Sequence, residues 1–370
     1  MKRIISLLLL ICIAFTLTAC NTDKTEGSND KNNDKNNANA NVNYEARNRV
    51  ISSYYFNTHS VIYTYADEDD TAIERYKEIA NEVLSYYHKL FDIYFEHSGM
   101  NNLCTVNKNA GKSPVKVDEE MIDFLEYCKE LYTLTGGKTN VMLGSVLKIW
   151  HDTREDALDD FGYLNPADLP TTDELNKANE HTSIDLLVID REASTVYITD
   201  RKASLDVGAI AKGYAVEILA ERIKAEGGDS VALNIGGNIR TIGLKPVDQP
   251  WVVAITNPDK SSDQSLYCKV EIGSASMVTS GDYERFFYAG DVKYHHIIDP
   301  VTLVPSAYFS SVTIITENSG LADALSTALF CMSYEEGLAL VNSIGGIEVV
   351  WIDLNYNAKT TPGITLLPIE

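Results

Sequence analysis

The sequence predicts a mixed α+β fold, a single large domain with a central, largely antiparallel sheet flanked by helices. Three observations predict it. Short runs rich in Ile, Val and Tyr recur along the chain, and two of them, residues 184–190 and 195–199, are joined by a charged turn of the kind that closes a hairpin. Between such runs lie amphipathic stretches with apolar residues at helical spacing, the longest over residues 71–95. After Tyr44 there is no internal repeat and no second linker, so one domain is expected to occupy residues 47–370.

The chain opens with Lys2 and Arg3, an apolar run over residues 4–17, and then Leu17-Thr18-Ala19-Cys20. This is the layout of a signal peptide, its apolar segment too short for a typical spanning helix. Small residues before a cysteine match a bacterial lipoprotein processing site. The reading is a leader over residues 1–19 and a lipidated Cys20. A polar tether then runs to residue 46, with too little apolar surface to fold. An ordinary signal peptide with a chance cysteine is the alternative. The domain is expected at the extracytoplasmic face of the cell membrane, held by lipid. A formal net charge of −22 argues against a nucleic-acid partner, whose phosphates need a basic face. Cys104, Cys128, Cys268 and Cys331 show no CxxC spacing, so zinc and dithiol chemistry are not expected. Export permits disulfides but fixes no pairing.

In order, residues 48–65 alternate and read as strands, residues 71–95 as a helix, and residues 98–111 as a polar turn region. A second helix is expected over residues 117–134, a glycine turn over residues 135–140, and an apolar wall over residues 141–150. Residues 161–182, with Pro166 and Pro170, read as loop. Strands follow at residues 230–235, 251–256, 266–272, 311–316 and 347–352, and helices at residues 319–330 and 335–344.

The chain is organised around Leu205-Asp206-Val207-Gly208-Ala209-Ile210-Ala211-Lys212-Gly213-Tyr214-Ala215-Val216-Glu217. A strand is expected to end at the acidic residue, Gly208 to permit a sharp turn, and a helix to begin close to Ala209. Such a junction points free N–H groups and a helix dipole at an anion, and Lys212 adds a positive charge. This reads as a phosphate-binding corner, although neither the Walker nor the dinucleotide fingerprint is present. Gly236-Gly237 lets a backbone approach something closely, or makes a plain tight turn. Residues 279–285 (TSGDYER) suit the polar rim of a ligand. His295 and His296 on one strand face opposite sides, so only one of them points inward. Asp323 and Thr327, at i and i+4, share a helix face, and their hard oxygens suit Mg²⁺. A helix-start carboxylate with an unrelated threonine is the alternative.

Taken in order, these motifs resemble those of the ApbE family, the FAD:protein FMN transferases. The matching segments are residues 206–217, 234–238 (NIGGN), 279–285, 296–300 (HIIDP) and 322–328 (ADALSTA). The resemblance implies transfer of FMN from FAD, as substrate, to a threonine or serine hydroxyl of an exported or membrane acceptor protein, with release of AMP. It implies Mg²⁺ held by Asp323, Thr327 and the carbonyl of Ala209. FAD would be bound by Asn140, Asp206, Lys212, Gly236, Gly237, Ser280 and Ile298. His296 would assist removal of the hydroxyl proton or orient the phosphate. The pattern departs at Thr139-Asn140, where the family usually has Phe-Asp, and at Leu303, where it usually has glycine. Activity is expected to survive with altered flavin contacts or acceptor preference. Water in place of the acceptor would make the protein an FAD pyrophosphatase. A flavin-binding lipoprotein without chemistry, or a flavinylated electron carrier, are further alternatives.

Overall fold

The structure, a computed structural model, describes residues 47–51, 55–64 and 70–369; the leader, Cys20 and the tether lie outside these residues. In chain order the elements are β1 (Arg47–Val50), β2 (Ser60–Thr64), α1 (Asp70–Leu90), α2 (Leu103–Lys108), β3 (Val115–Lys116), α3 (Glu119–Leu134), α4 (Gly144–Asp159), β4 (Tyr163–Leu164), α5 (Thr172–Asn179), β5 (Leu187–Asp190), β6 (Thr195–Ile198), α6 (Ala211–Ala225), β7 (Val231–Ile235), β8 (Asn238–Ile242), β9 (Trp251–Thr256), β10 (Leu266–Ile272), β11 (Ser276–Gly281), β12 (Phe286–Ala289), β13 (Val292–His295), β14 (Phe309–Thr316), α7 (Ser319–Phe330), α8 (Tyr334–Ile344), β15 (Glu348–Asp353) and β16 (Ala358–Thr360). The fold is α+β, as the sequence predicts.

Its centre is an eight-stranded sheet in the order β1-β2-β7-β8-β11-β14-β15-β16, in which every pairing is antiparallel. Side chains alternate across it, so each strand feeds two cores. Val231, Leu233 and Ile235 face the layer of α1, α3 and α6. Val349 and Trp351 face α7 and α8. Ala232, Met277, Val350 and Ile352 face the β9–β10 hairpin on the opposite side. A fourth cluster joins α4, α5 and β12 through Val146, Trp150, Leu175 and Phe287. Fully burying each large apolar side chain contributes roughly 1.5–3 kcal/mol, so these layers hold the sheet and its helices together.

Several local expectations are corrected. The first helix stops at Leu90, because the Asp92 side chain accepts the N–H groups of Tyr94 and Phe95 and turns the chain away. The supposed turn region contains α2, started by Asn102, whose Oδ1 accepts the Thr105 N–H at 3.1 Å. The apolar wall belongs largely to α4. The supposed loop contains α5, opened by a Thr171–Glu174 capping box. No strand ends at Asp206. Asn107 satisfies the backbone of Leu205 on both sides, accepting its N–H at 2.7 Å and donating to its carbonyl at 3.0 Å. With those groups taken, the segment joins no sheet. The helix begins at Ala211, two residues later than expected. The four cysteines of the folded part are buried and unpaired. Among the described residues no helix is long and apolar enough to cross a membrane.

Candidate active site

Two helices meet where the central stretch leads. Gly213 in α6 lies so close to α7 that an added Cβ would stand 2.3 Å from the Ser319 carbonyl oxygen and 2.5 Å from Asp323 Cβ. Only glycine allows that approach. It lets the Gly213 N–H donate to Asp323 Oδ2 at 2.7 Å. Gly213 is the third residue of α6, so its N–H is one of the first-turn donors with no partner inside the helix. Among the described residues nothing donates to the Ala209 carbonyl. The first anion at the helix start is therefore the protein's own Asp323, a favourable place for a carboxylate.

Asp323 is buried, 7% exposed, and no lysine or arginine forms an ion pair with it among the described residues. Burial raises its pKa, opposed by the Lys212 ammonium and the Gly213 N–H. Thr327, one turn on, is half-buried. Among the described residues no cluster of three His, Cys, Asp or Glu side chains offers a metal site. One carboxylate with a spare oxygen, one hydroxyl and one undonated carbonyl nevertheless form a hard-oxygen set that fits Mg²⁺, an ion that keeps much of its shell as water and phosphate.

Other predicted residues gather around this point. The Lys212 Nζ reaches the Gly236 carbonyl at 3.4 Å. Gly236 and Gly237, at φ 57° and 82°, form the two-residue hairpin turn between β7 and β8. Ser280 Oγ bonds Ser326 Oγ at 2.8 Å, and Ser326 in turn donates to the Asp323 carbonyl. Thr139 Oγ1 donates to the Ala324 carbonyl at 2.9 Å, which brings the glycine turn against the same helix. The neighbouring Asn140 is used within the protein. Its Nδ2 donates to the Thr182 carbonyl and its Oδ1 accepts the Met142 N–H. Ile298 is buried, and its carbonyl lies 3.9 Å from the Cys331 Sγ.

The remaining predicted residues form a second group. His295 is the inward histidine: its Nε2 lies 2.8 Å from the Ser306 carbonyl, and its Nδ1 accepts the Ile297 N–H. These partners fix the proton on Nε2, leaving His295 a structural role. His296 is exposed by its surface area, while many protein atoms lie close around its ring. Its backbone N–H donates to the Arg285 carbonyl at 3.0 Å. Burial, then the charges of Arg285 and His295, hold its imidazole down to about 3. Asp206 accepts the Gly208 N–H at 2.9 Å. Its pKa is raised by burial, against the pull of Gly208, His151 and Arg285. Gly208 itself has no left-handed φ, so the sharp turn expected there is a side-chain turn made by Asp206. Among the described residues no hydrogen bond joins His296 to Asp323.

Sequence reading did not single out His151, Arg154 or Tyr94, and it gave Glu217 no role beyond its place at the end of the central stretch. Tyr94 lies beside His151, ring centroids 5.8 Å apart, and Arg154 is among the charges that lower His296. Nothing in their local sequence marks them. Glu217 accepts the Ser319 N–H at 2.6 Å and pairs with Arg240, fixing the start of α7 against α6. A cavity of about 470 Å³ beside Glu96, His97 and Asp118 contains none of the predicted residues.

The model of the ApbE family matches residues 56–351. The FAD:protein FMN transferase of Treponema pallidum is 34% identical over 278 residues, 71% of this chain and 73% of that protein. The FAD:protein FMN transferase of Vibrio cholerae is 31% identical over 288 residues, 76% of this chain and 79% of that one. The crystal structure of the ApbE protein from Thermotoga maritima superposes with a TM-score of 0.72 at 26% identity, covering 86% of this chain and 98% of that one.

Proposed function

We propose a function from one premise: the chain belongs to the ApbE family. The protein is a transferase that moves FMN from FAD to a threonine or serine hydroxyl of an exported or membrane acceptor protein, releasing AMP. The observation that carries this reading is the Gly213–Asp323 contact, which sets the first turn of α6, just after the undonated Ala209 carbonyl, against a buried carboxylate with no ion-pair partner among the described residues.

Asp323, Thr327 and the Ala209 carbonyl would hold Mg²⁺, which supplies charge neutralisation at the pyrophosphate and the departing AMP. Lys212, tied to the Gly236 carbonyl, places a positive charge beside the same oxygens. Ser280 keeps β11 registered on α7 through Ser326. In the reaction the acceptor oxygen forms a bond to the FMN phosphorus and the bond from that phosphorus to the AMP oxygen breaks. His296, neutral in the free protein, accepts the hydroxyl proton or steers the phosphate. A bound polyanion next to it raises its basicity from the depressed value. The half-buried Asn140 side chain already bonds Thr182 and Met142 within the protein. Cys20, lipidated after loss of residues 1–19, holds the domain at the extracytoplasmic face of the membrane.

The test is incubation of the protein with FAD, Mg²⁺ and the exported-protein fraction of its own cells, followed by peptide mass spectrometry. An FMN phosphoester on a threonine or serine is expected. Flavin recovered only as free FMN would replace transfer by hydrolysis. For the anchor, Cys20→Ser is expected to leave the membrane fraction or to remain unprocessed, and an unchanged membrane fraction would refute it.

A further inference from the structure

A largely buried ion pair involves Asp299, three residues beyond the histidine. Lys138 Nζ lies 2.9 Å from Asp299 Oδ1, with side chains 19% and 4% exposed. The residues are 161 positions apart, so the pair joins two otherwise separate loops. Each loop also touches the proposed site. Asp299 stands at the neck of a narrow hairpin: its N–H donates to the Val304 carbonyl, its carbonyl accepts the Leu303 N–H, and Ser306 N–H donates to the Ile297 carbonyl. The same Oδ1 that receives Lys138 accepts the Val301 N–H at 2.9 Å. His296 is the residue that enters this hairpin. On the other side, Lys138 precedes Thr139, whose hydroxyl is bonded to Ala324, next to Asp323. A chain of contacts therefore runs from the metal-ligand helix through Thr139, Lys138 and Asp299 to the hairpin of His296.

We propose that Lys138 and Asp299 act as a positioning pair, clamping the His296 hairpin at a fixed separation from Asp323. The proposal rests on the transferase reading given above. A loop entry carrying a proton acceptor has to stay within hydrogen-bond reach of a hydroxyl whose phosphorus partner is set by α7. A buried ion pair with one short, charge-assisted contact ties the two loops together at a set distance.

The test separates positioning from plain stability. Lys138→Met and Asp299→Asn each leave one buried partner unmatched, and both variants are expected to melt at lower temperature. The double variant removes both charges, so its melting temperature should return toward that of the parent. Its FMN transfer rate should nevertheless stay at least about tenfold low, the scale of a lost alignment, with FAD affinity from flavin fluorescence within a few-fold of the parent. Lys138→Arg, which keeps the charge, should retain more activity than Lys138→Met. A double variant whose transfer rate recovers together with its melting temperature would overturn the proposal. Hydrogen exchange supplies a readout independent of activity. In the double variant, amides of residues 297–306 should exchange faster while those of α7 do not. Unchanged exchange in that hairpin would equally overturn the clamp. Failure of the parent itself to transfer FMN would refute the transferase reading, and hydrogen exchange would still decide the clamp.

Discussion

Leu303 sits where a glycine is conformationally favoured, and replacing it separates two opposing energies. Its φ is +64°, a left-handed conformation that costs a residue with a Cβ about 1–2 kcal/mol. Its side chain is 4% exposed and packs in the α4–α5 cluster. Full burial of a leucine contributes about 1.5–3 kcal/mol, enough to offset the backbone cost. Its carbonyl, which accepts the Trp150 indole N–H at 2.8 Å, holds the turn in place. Leu303→Ala keeps the strain and loses the packing, so stability should fall by about 2–5 kcal/mol. Leu303→Gly loses the same packing but relieves the strain. After about 0.5–1 kcal/mol for the extra freedom of an unfolded glycine, it should be more stable than the alanine variant by roughly 0.5–1 kcal/mol. Urea unfolding of both variants, compared by midpoint at equal slope, measures the difference. At an ordinary buried position glycine is the worse of the two. A glycine variant less stable than the alanine variant would refute the assignment of strain to Leu303.

Three further outcomes follow from the titrating groups and the site. Burial raises the pKa of Asp323, so its ionisation weakens the ligand-free fold as pH rises through the folded value. Below the ordinary carboxylate range the effect is absent. Asp323→Asn should therefore melt higher than the parent at pH 7.5 without FAD or Mg²⁺, with the gap closing toward pH 4, as differential scanning would record. His296 shifts the other way, held down to about 3. Its contribution is intact above the ordinary value near 6.5 and is lost as pH falls from there toward 3, because only the unfolded chain gains the proton. His296→Gln should flatten that stretch of the stability curve, and melts from pH 7 to pH 4 check it. Lys212→Ala should weaken FAD binding, and an unchanged affinity by fluorescence titration would remove Lys212 from the site.

The strands β9 and β10 were legible at both ends, because period-two alternation is bounded by Pro250 on one side and Gly273 on the other. The helix α5 carried its own signal, the Thr171–Glu174 capping box, but the prolines before it disguised the region as loop. The missing strand before Asp206 had no local signal. Its backbone partners belong to Asn107, 98 residues away. The site divides in the same manner. Each motif was visible as a string, and helical spacing alone put Asp323 and Thr327 on one face. That Gly213 would hand its N–H to Asp323, 110 residues on, depends on how closely two helices pack, which no spacing within either helix encodes. The Lys138–Asp299 pair was invisible for the same reason.

The central claim is that Asp323 serves transfer of FMN to a protein hydroxyl. The most direct test counts AMP and acceptor-bound FMN in one reaction with FAD and Mg²⁺, for the parent and for Asp323→Asn. The parent should yield the two products in equal amounts. The variant, with its charged ligand gone, should lose both by about 10²–10³-fold or more, the scale of a lost electrostatic stabiliser, although it still folds. AMP with free FMN and no labelled acceptor, or labelling by Asp323→Asn at the parental rate, would contradict the claim.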